Sequence, residues 1–284
     1  MYRTGRWTPD GRIGGIPAPH ATIRAQWSAA AKADRRIGHA IEAYDTIGST
    51  NDRARQLLVE SGETGRVILA ELQTAGRGRR GRSWSSPPGL NLTFSVALRP
   101  DLAAGDAWRL AAVAGLAIRK GAAAWAEVSL KWPNDVVDAD GRKVAGILIE
   151  TAVDGDHLSS VVIGIGINVN WRRATMPEEL RPRATSLADL AGEPIDRVAL
   201  LDRILDDLDA RTTALGKDEL VAAYREASWL TGRRVAVAMG DRTLSGVARG
   251  IGDDGTLTVE VGGELVSVAY GEVERVTEPV EAVA

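Results

Sequence analysis

Arginines set among glycines, and lysines set at the ends of apolar runs, are the residues of this chain best suited to chemistry. The run Gly76-Arg77-Gly78-Arg79-Arg80-Gly81-Arg82-Ser83-Trp84 holds four arginines and three glycines. Guanidinium forks and exposed backbone N–H groups suit phosphate, and glycine lets a backbone approach a ligand and move. A second stretch sets Lys131-Trp132-Pro133-Asn134-Asp135 ahead of Lys143-Val144-Ala145-Gly146-Ile147-Leu148. It places two lysines and an acid beside strand-like residues. Together the runs suggest a site that brings two anions together, such as a carboxylate and a nucleoside triphosphate.

Each feature also has a plainer reading. The arginine run has the composition of a solvated or RNA-binding turn. A strand entering it, and an exit through Trp84 into another strand, favour a loop anchored at both ends. Lys143 can hold its ammonium at a pocket mouth and stabilise the charge that grows when a carboxylate attacks phosphorus. A lone lysine at a strand end is more often a surface group, and Lys131 shares that ambiguity. Asn134-Asp135 after a proline is a turn signal, while Asp135 can also hold Mg²⁺ or orient an amine. Gly164-Ile165-Gly166-Ile167-Asn168 lacks the third glycine and the helix of a dinucleotide fingerprint. Glycines inside a strand mark close approach by another element or a flat ligand. Ser49-Thr50-Asn51 is most simply a helix cap, and its hydroxyls can also reach a ligand's heteroatoms.

The bulk numbers bound the setting. The chain has 284 residues, 44% hydrophobic and 26% charged, an ordinary globular balance with room for a core domain and a small second one. A formal net charge of −3 gives no global pull on nucleic acid or acidic membrane, so the arginine run is a local feature. The absence of cysteine excludes disulfides, thiol catalysis and Cys-based zinc, and fits a reducing cytoplasm. His20, His39 and His157 show no metal-ligand spacing. No apolar run reaches the roughly 18 residues of a membrane span, and no signal peptide is expected.

The elements that must position these residues follow from periodicity. Residues 1–36 mix Gly, Pro and Arg with little pattern and read as a loosely ordered segment. Strands are expected over 41–47, 67–72 and 92–98, with a helix from Ser49 to about Glu60 and another over 106–125. A dense strand region follows over 128–131, 136–137, 144–153 and 158–169, then helices over 199–215 and 218–230. The hairpin-like succession predicts an α+β fold with a mixed, largely antiparallel sheet. After Gly232, short strands over 235–238, 243–249, 256–261 and 265–269 predict a small β-barrel. The expected division is 1–36, a core domain over 37–230, and a barrel with tail over 231–284.

Gln73 through Trp84, Lys131 through Asp135, Lys143 through Leu148 and Gly164 through Asn168 resemble the signature runs of the biotin protein ligases, in the family order. Ser49-Thr50-Asn51 stands where that family has a Ser-Thr-Asn run. The resemblance covers roughly residues 40–275. It implies a catalytic domain similar to class II aminoacyl-tRNA synthetases followed by an SH3-like barrel. It also implies that biotin and MgATP form biotinoyl-5′-AMP, which then passes biotin to one lysine of a biotin carboxyl carrier domain, such as that of acetyl-CoA carboxylase. By position it implies that Ser49, Thr50, Asn51, Gln73, Arg77, Gly146 and Gly166 line the biotin site. Arg79, Arg82, Trp84, Lys131, Asn134 and Asn168 fall to the adenylate side. Lys143 contacts both carboxylate and α-phosphate, and Asp135 serves the metal or the attacking lysine. Lys143, Arg79 and Asp135 are thus the catalytic candidates.

Two rival readings remain at this level. A lipoate or octanoate ligase or transferase shares the implied fold, and an RNA-binding module would use the arginine run and the barrel. Some family members carry a DNA-binding winged helix, and residues 1–36 show no helix-turn-helix pattern, so no DNA partner is expected. Residues 74–86 have few apolar anchors and four like charges, which predicts a loop that is ordered only over ligand. Lys143, at a strand mouth, is expected to matter little to the core.

Overall fold

A computed structural model describes residues 25–213, 215 and 218–279. Residues 1–24, most of the segment expected to be loosely ordered and all of its Gly/Pro-rich opening, lie outside them. Strand alternation builds a seven-stranded sheet from β1 (Ile41–Ile47), β2 (Val67–Gln73), β3 (Leu92–Leu98), β4 (Ser129–Lys131), β5 (Asp135–Val137), β6 (Lys143–Asp154) and β7 (His157–Ile167). Their spatial order is β1-β2-β3-β7-β6-β5-β4. β1 and β2 are parallel, which requires a crossover, and α1 (Thr50–Ser61) supplies it. Every other pairing is antiparallel. The sheet is mixed and largely antiparallel, as the hairpin-like pattern predicts.

The two faces of this sheet are chemically different, and the period of two explains why. On β3, Leu92, Phe94 and Val96 enter the main core, as do Val161, Ile163, Ile165 and Ile167 on β7. That face is covered by α2 (Trp108–Ala122), α4 (Arg197–Thr212) and α5 (Asp218–Glu226). The alternate residues are Thr93 and Ser95 on β3, Gly164 and Gly166 on β7, and Gly146, Leu148 and Glu150 on β6. They face the side that α1 covers, where a small cluster of Tyr44, Ile47, Ala54, Leu58, Ile68, Ala70, Ala97 and Val162 packs. α1 covers only part of that side, and the glycines beyond its N-terminus leave a trough.

Residues 25–36 are not loosely ordered. Trp27 is fully buried, donates Nε1 to Glu71 Oε1 at 3.3 Å and is covered by the Arg197 guanidinium 5.1 Å from its ring centre. Arg35 is buried, donating to Ala30 O at 2.8 Å and pairing with Asp202 and Asp206 of α4 at 2.5 Å each. One aromatic and one arginine fork suffice to dock a segment that shows no periodicity. A short α3 (Leu187–Ala191), which periodicity also misses, is capped by Ser186 Oγ accepting from Asp189 N.

Beyond α5 come β8 (Arg233–Met239), β9 (Arg242–Ile251), β10 (Leu257–Val261), β11 (Glu264–Val268) and β12 (Glu272–Pro279), an antiparallel sheet in the order β11-β10-β9-β8-β12. Sequence patterning finds four of these strands. The fifth, β12, falls in the tail beyond the last expected strand, yet its Val273 is buried against β8. This sheet shares the main core, and Trp132 Nε1 donates to Gly255 O at 3.1 Å to join it to the larger one.

Candidate active site

Register turns the scattered sequence motifs into one line. Across neighbouring strands Thr93 pairs with Gly166, Gly166 with Gly146, Gly146 with Asp135, and Asp135 with Lys131. Four strand spacings make this row roughly 19 Å long. A parallel row sets Ser95 beside Gly164 and Gly164 beside Leu148. The floor is therefore glycine backbone at its centre, a hydroxyl at one end, and an acid with a lysine at the other. A Cβ at position 166 would stand 2.3 Å from Trp84 Cε2, and one at position 164 would stand 2.3 Å from Asn51 Oδ1. Only glycine permits either contact.

The hydroxyl end is a wired cluster. Ser49 is the N-cap of α1 by backbone conformation, but its side chain does not cap the helix. Gln73 Oε1 at the end of β2 takes that role, accepting from Thr50 N at 2.7 Å and from Thr50 Oγ1 at 2.9 Å. Ser95 Oγ lies 2.7 Å from Thr50 Oγ1 and donates to Asn51 Oδ1 at 2.5 Å. Asn51 Nδ2 in turn donates to Glu150 Oε2 at 2.6 Å. Thr93 Oγ1 and Trp84 Nε1, both buried atoms, have no hydrogen-bond partner among the described residues. Buried polar atoms normally find partners, so these two are free for a ligand.

The other end is cationic. Lys143 Nζ lies 2.6 Å from Asp135 Oδ1 and 5.8 Å from the centre of the Trp84 ring. Asp135 Oδ1 has no well-aligned hydrogen bond, so the contact is an ion pair. Asn134 donates Nδ2 to Ile147 O at 2.7 Å and accepts from Arg79 Nη1 at 2.9 Å. Burial, with Arg80 close by, holds the Arg79 guanidinium below its ordinary range. Lys131 is held low by burial, against the pull of Asp135.

The arginine loop is folded back over this trough. Trp84 N donates to Gly76 O at 3.0 Å and Gly78 N to Arg82 O at 2.7 Å, which closes the loop on itself. The anchors are polar where apolar ones are absent. Arg77 binds Asp52 and Glu150, and Arg82 Nη2 donates to Glu272 Oε2 at 2.8 Å at the start of β12. Closure leaves a cavity of about 50 Å³. That is small beside the roughly 300 Å³ or more of an open ligand pocket. The indole of Trp84 fills the space, so the loop must lift for substrates to enter.

A cationic pair of strand ends, a glycine floor and a closing arginine loop meet in one pocket, and the comparisons with known proteins point the same way. The biotin/lipoate A/B protein ligase family matches residues 44–168, and the biotin protein ligase C-terminal domain matches residues 230–276. A biotin–[acetyl-CoA-carboxylase] ligase of Mycobacterium tuberculosis is 39% identical over 81% of this chain and 87% of its own. This chain belongs to the biotin protein ligases. The bifunctional ligase/repressor BirA of Bacillus subtilis is 34% identical over 84% of this ligase and 74% of its own length. The biotin protein ligase of Aquifex aeolicus, solved in complex with biotin and ATP, superposes with a TM-score of 0.71 at 28% identity, covering 84% of this chain and 98% of that one.

Of the residues singled out in sequence, Ser49, Thr50, Asn51, Gln73, Arg77, Arg79, Trp84, Asn134, Lys143, Gly146 and Gly166 all line the ligase pocket. Asp135 and Lys131 continue the floor beyond it. Arg82 is not in the pocket but outside, 67% exposed and paired with Glu272. Asn168, expected on the adenylate side, is buried beneath it and spends Nδ2 on Thr185 O at 3.1 Å and Lys143 O at 3.4 Å, which holds the start of β6. Sequence reading missed Thr93, Ser95, Glu150 and Glu272. The first two carry a signal, hydroxyls at alternate positions of an apolar strand; the two glutamates carry none. No helix among the described residues is long and apolar enough to cross a membrane.

Proposed function

We propose that this ligase joins biotin to AMP in the trough and then passes biotin to a lysine of a carrier domain. The ring system lies over the glycine floor at the Thr93–Ser95 end, where hydroxyls and the Gln73 amide meet its heteroatoms. The aliphatic tail runs along the Gly166–Gly146 row toward Lys143. A carboxylate oxygen attacks the α-phosphorus of ATP, the new O–P bond forms, and the bond to the β-phosphate breaks to release pyrophosphate. Lys143 carries the positive charge for both anions, at the point where attacking carboxylate and α-phosphate meet. Arg79, half-buried and donating to Asn134, is the loop residue best placed to hold the phosphate. In the second step a lysine amine attacks the carbonyl carbon, AMP leaves, and the amine loses its proton.

Mg²⁺ enters as part of the nucleotide substrate. Among the described residues no three His, Cys, Asp or Glu gather as a resident metal centre. The single carboxylate of Asp135, next to Lys131 in the floor row and paired with Lys143, suits an ion that arrives on phosphates and keeps its waters. Its other candidate role is to orient the attacking amine. The partner is the carrier domain of a biotin-dependent carboxylase, in keeping with the acetyl-CoA-carboxylase ligase names of the relatives, and the cysteine-free sequence suits the cytoplasm.

The observation that carries this reading is the cross-strand row that sets an uncharged glycine floor and a lysine–aspartate pair in one line. A carrier domain incubated with this ligase, biotin and MgATP should gain one biotinyl group at one lysine, and its lysine-to-arginine variant should gain none. Labelling that spreads equally over an unrelated protein would remove the carrier from the reading.

A further inference from the structure

Glu150 lies on β6 opposite Val162 of β7, and no step of the proposed reaction uses it. Its carboxylate is nevertheless where three parts of the site converge. Oε2 accepts from Asn51 Nδ2 at 2.6 Å and from Arg55 Nη2 at 2.8 Å, both from α1. Arg77 Nη2, reaching in from the arginine loop, lies 3.2 Å from Oε1 and 3.3 Å from Oε2. Arg77 is completed by Asp52, which accepts from Nη1 at 2.8 Å and from Nη2 at 2.7 Å. The Arg77 guanidinium accordingly holds the Asp52 carboxyl below its usual range.

Asn51 has no freedom left in this arrangement. Its Oδ1 accepts from Ser95 Oγ at 2.5 Å and lies against Gly164, so the Glu150 bond to Nδ2 fixes which way the amide points. The same carboxylate therefore orients a pocket-wall residue and holds down the loop that covers the pocket. It does so with about four lone-pair sites for three donors, two of them cations. The Glu150 side chain is only 27% exposed, so these pairs are better shielded than pairs on an open surface.

We propose that Glu150 is a positioning residue: through Arg77 and Asn51 its carboxylate latches the arginine loop to the wall of the pocket, so that closing the loop and setting Asn51 are one event. The identity of the pocket's ligand rests on the proposed function; the latch itself does not. Glu150→Gln tests it, because glutamine still accepts from Asn51 but no longer carries the charge that holds Arg55 and Arg77. Trypsin cuts after Arg77, Arg79, Arg80 and Arg82 report whether the loop is down, and biotin KM against kcat for adenylate formation reports whether the pocket is set. In Glu150→Gln the ligand-free loop should be cut roughly tenfold faster, the ratio set by about 1.4 kcal/mol. Biotin KM should rise by a similar factor while kcat changes by less than about twofold, the pattern of lost binding that ground and transition state share. Raised salt should bring the wild type toward the variant.

A normally melting Glu150→Gln whose loop is cut at the wild-type rate overturns the latch, whatever its KM, since Glu150 would then act through Asn51 alone. If Glu150→Gln melts early, Arg77→Gln breaks the same contact from the loop side, at a side chain 37% exposed, and leaves Arg79, Arg80 and Arg82 to be cut. It too should speed cutting, and wild-type cutting there overturns the latch. Wild type that forms no adenylate from biotin and MgATP is a separate failure. It sinks the proposed function and leaves the cutting comparison standing.

Discussion

Removing the Lys143 ammonium should produce two losses that a second substitution separates. Nζ is 2.6 Å from Asp135 Oδ1, with the two side chains 34% and 27% exposed. Lys143→Met keeps the stem and leaves that carboxylate partly buried without its cation. A stranded charged acceptor costs roughly 1–3 kcal/mol, and the exposure of both groups puts this one near the lower end. In a domain this size about 1 kcal/mol moves the midpoint of melting by roughly 2–4 °C. The expectation from sequence, that Lys143 matters little to the fold, is revised by the Asp135 contact. Adding Asp135→Asn removes the stranded charge and should return the melting midpoint close to wild type. Adenylate formation behaves differently. Loss of one preorganised cation costs about 10²–10³-fold, and neutralising Asp135 restores no charge at the α-phosphate. Pyrophosphate release with biotin and MgATP, measured beside thermal melting, gives both quantities. Lys143→Met that releases pyrophosphate at the wild-type rate, or a double variant that regains the rate along with the stability, would refute the role given to Lys143.

Three further outcomes follow from the same geometry. Arg79→Gly should still form adenylate but lose it about 10–150-fold faster, since one charge-assisted contact contributes roughly 1.5–3 kcal/mol; albumin added to the reaction should become biotinylated, and equal labelling by wild type and variant would contradict this. Gly166→Ala puts a Cβ 2.3 Å from the Trp84 indole, and overpacking of about 1–3 kcal/mol should lift the loop, seen as faster hydrogen exchange over residues 76–84; unchanged exchange would show that Trp84 does not rest there. Lys131, with its pKa lowered by burial, costs stability below that lowered value, and the cost fades as pH rises toward 10.5. Lys131→Met should therefore melt higher than wild type at pH 7 by a margin that shrinks at alkaline pH, and a margin that grows with pH would reverse the sign.

What the sequence disclosed and what it hid divide along a physical line. The glycine floor was legible because strand glycines at 146, 164 and 166 have no packing reason to recur. The arginine loop and Lys143 were legible from charge set into apolar surroundings. Period-two alternation located the large sheet and its α+β class. The register was not legible, and it alone brings Thr93, Gly166, Gly146, Asp135 and Lys131 into one row from three separate motifs and one strand that carries none. Glu150 and Glu272 were hidden for a related reason: an acid on a strand face announces no partner until the fold sets Arg77 or Arg82 beside it. Trp27 and Arg35 anchor a segment without periodicity by long-range contacts to Glu71, Arg197, Asp202 and Asp206, which no window along the chain detects. Arg82 and Asn168 belong to the recognised runs, yet one turns outward to Glu272 and the other holds backbone below the pocket.

The central claim is that this pocket joins biotin to AMP, and the most direct measurement is the mass of what forms when the purified chain meets biotin and MgATP with no carrier present. Biotinoyl-AMP and pyrophosphate should appear in equal amounts, with pyrophosphate exchange driven by biotin and not by lipoate or octanoate. ATP left intact beside biotin, or an adenylate made from lipoate or octanoate in its place, would contradict it.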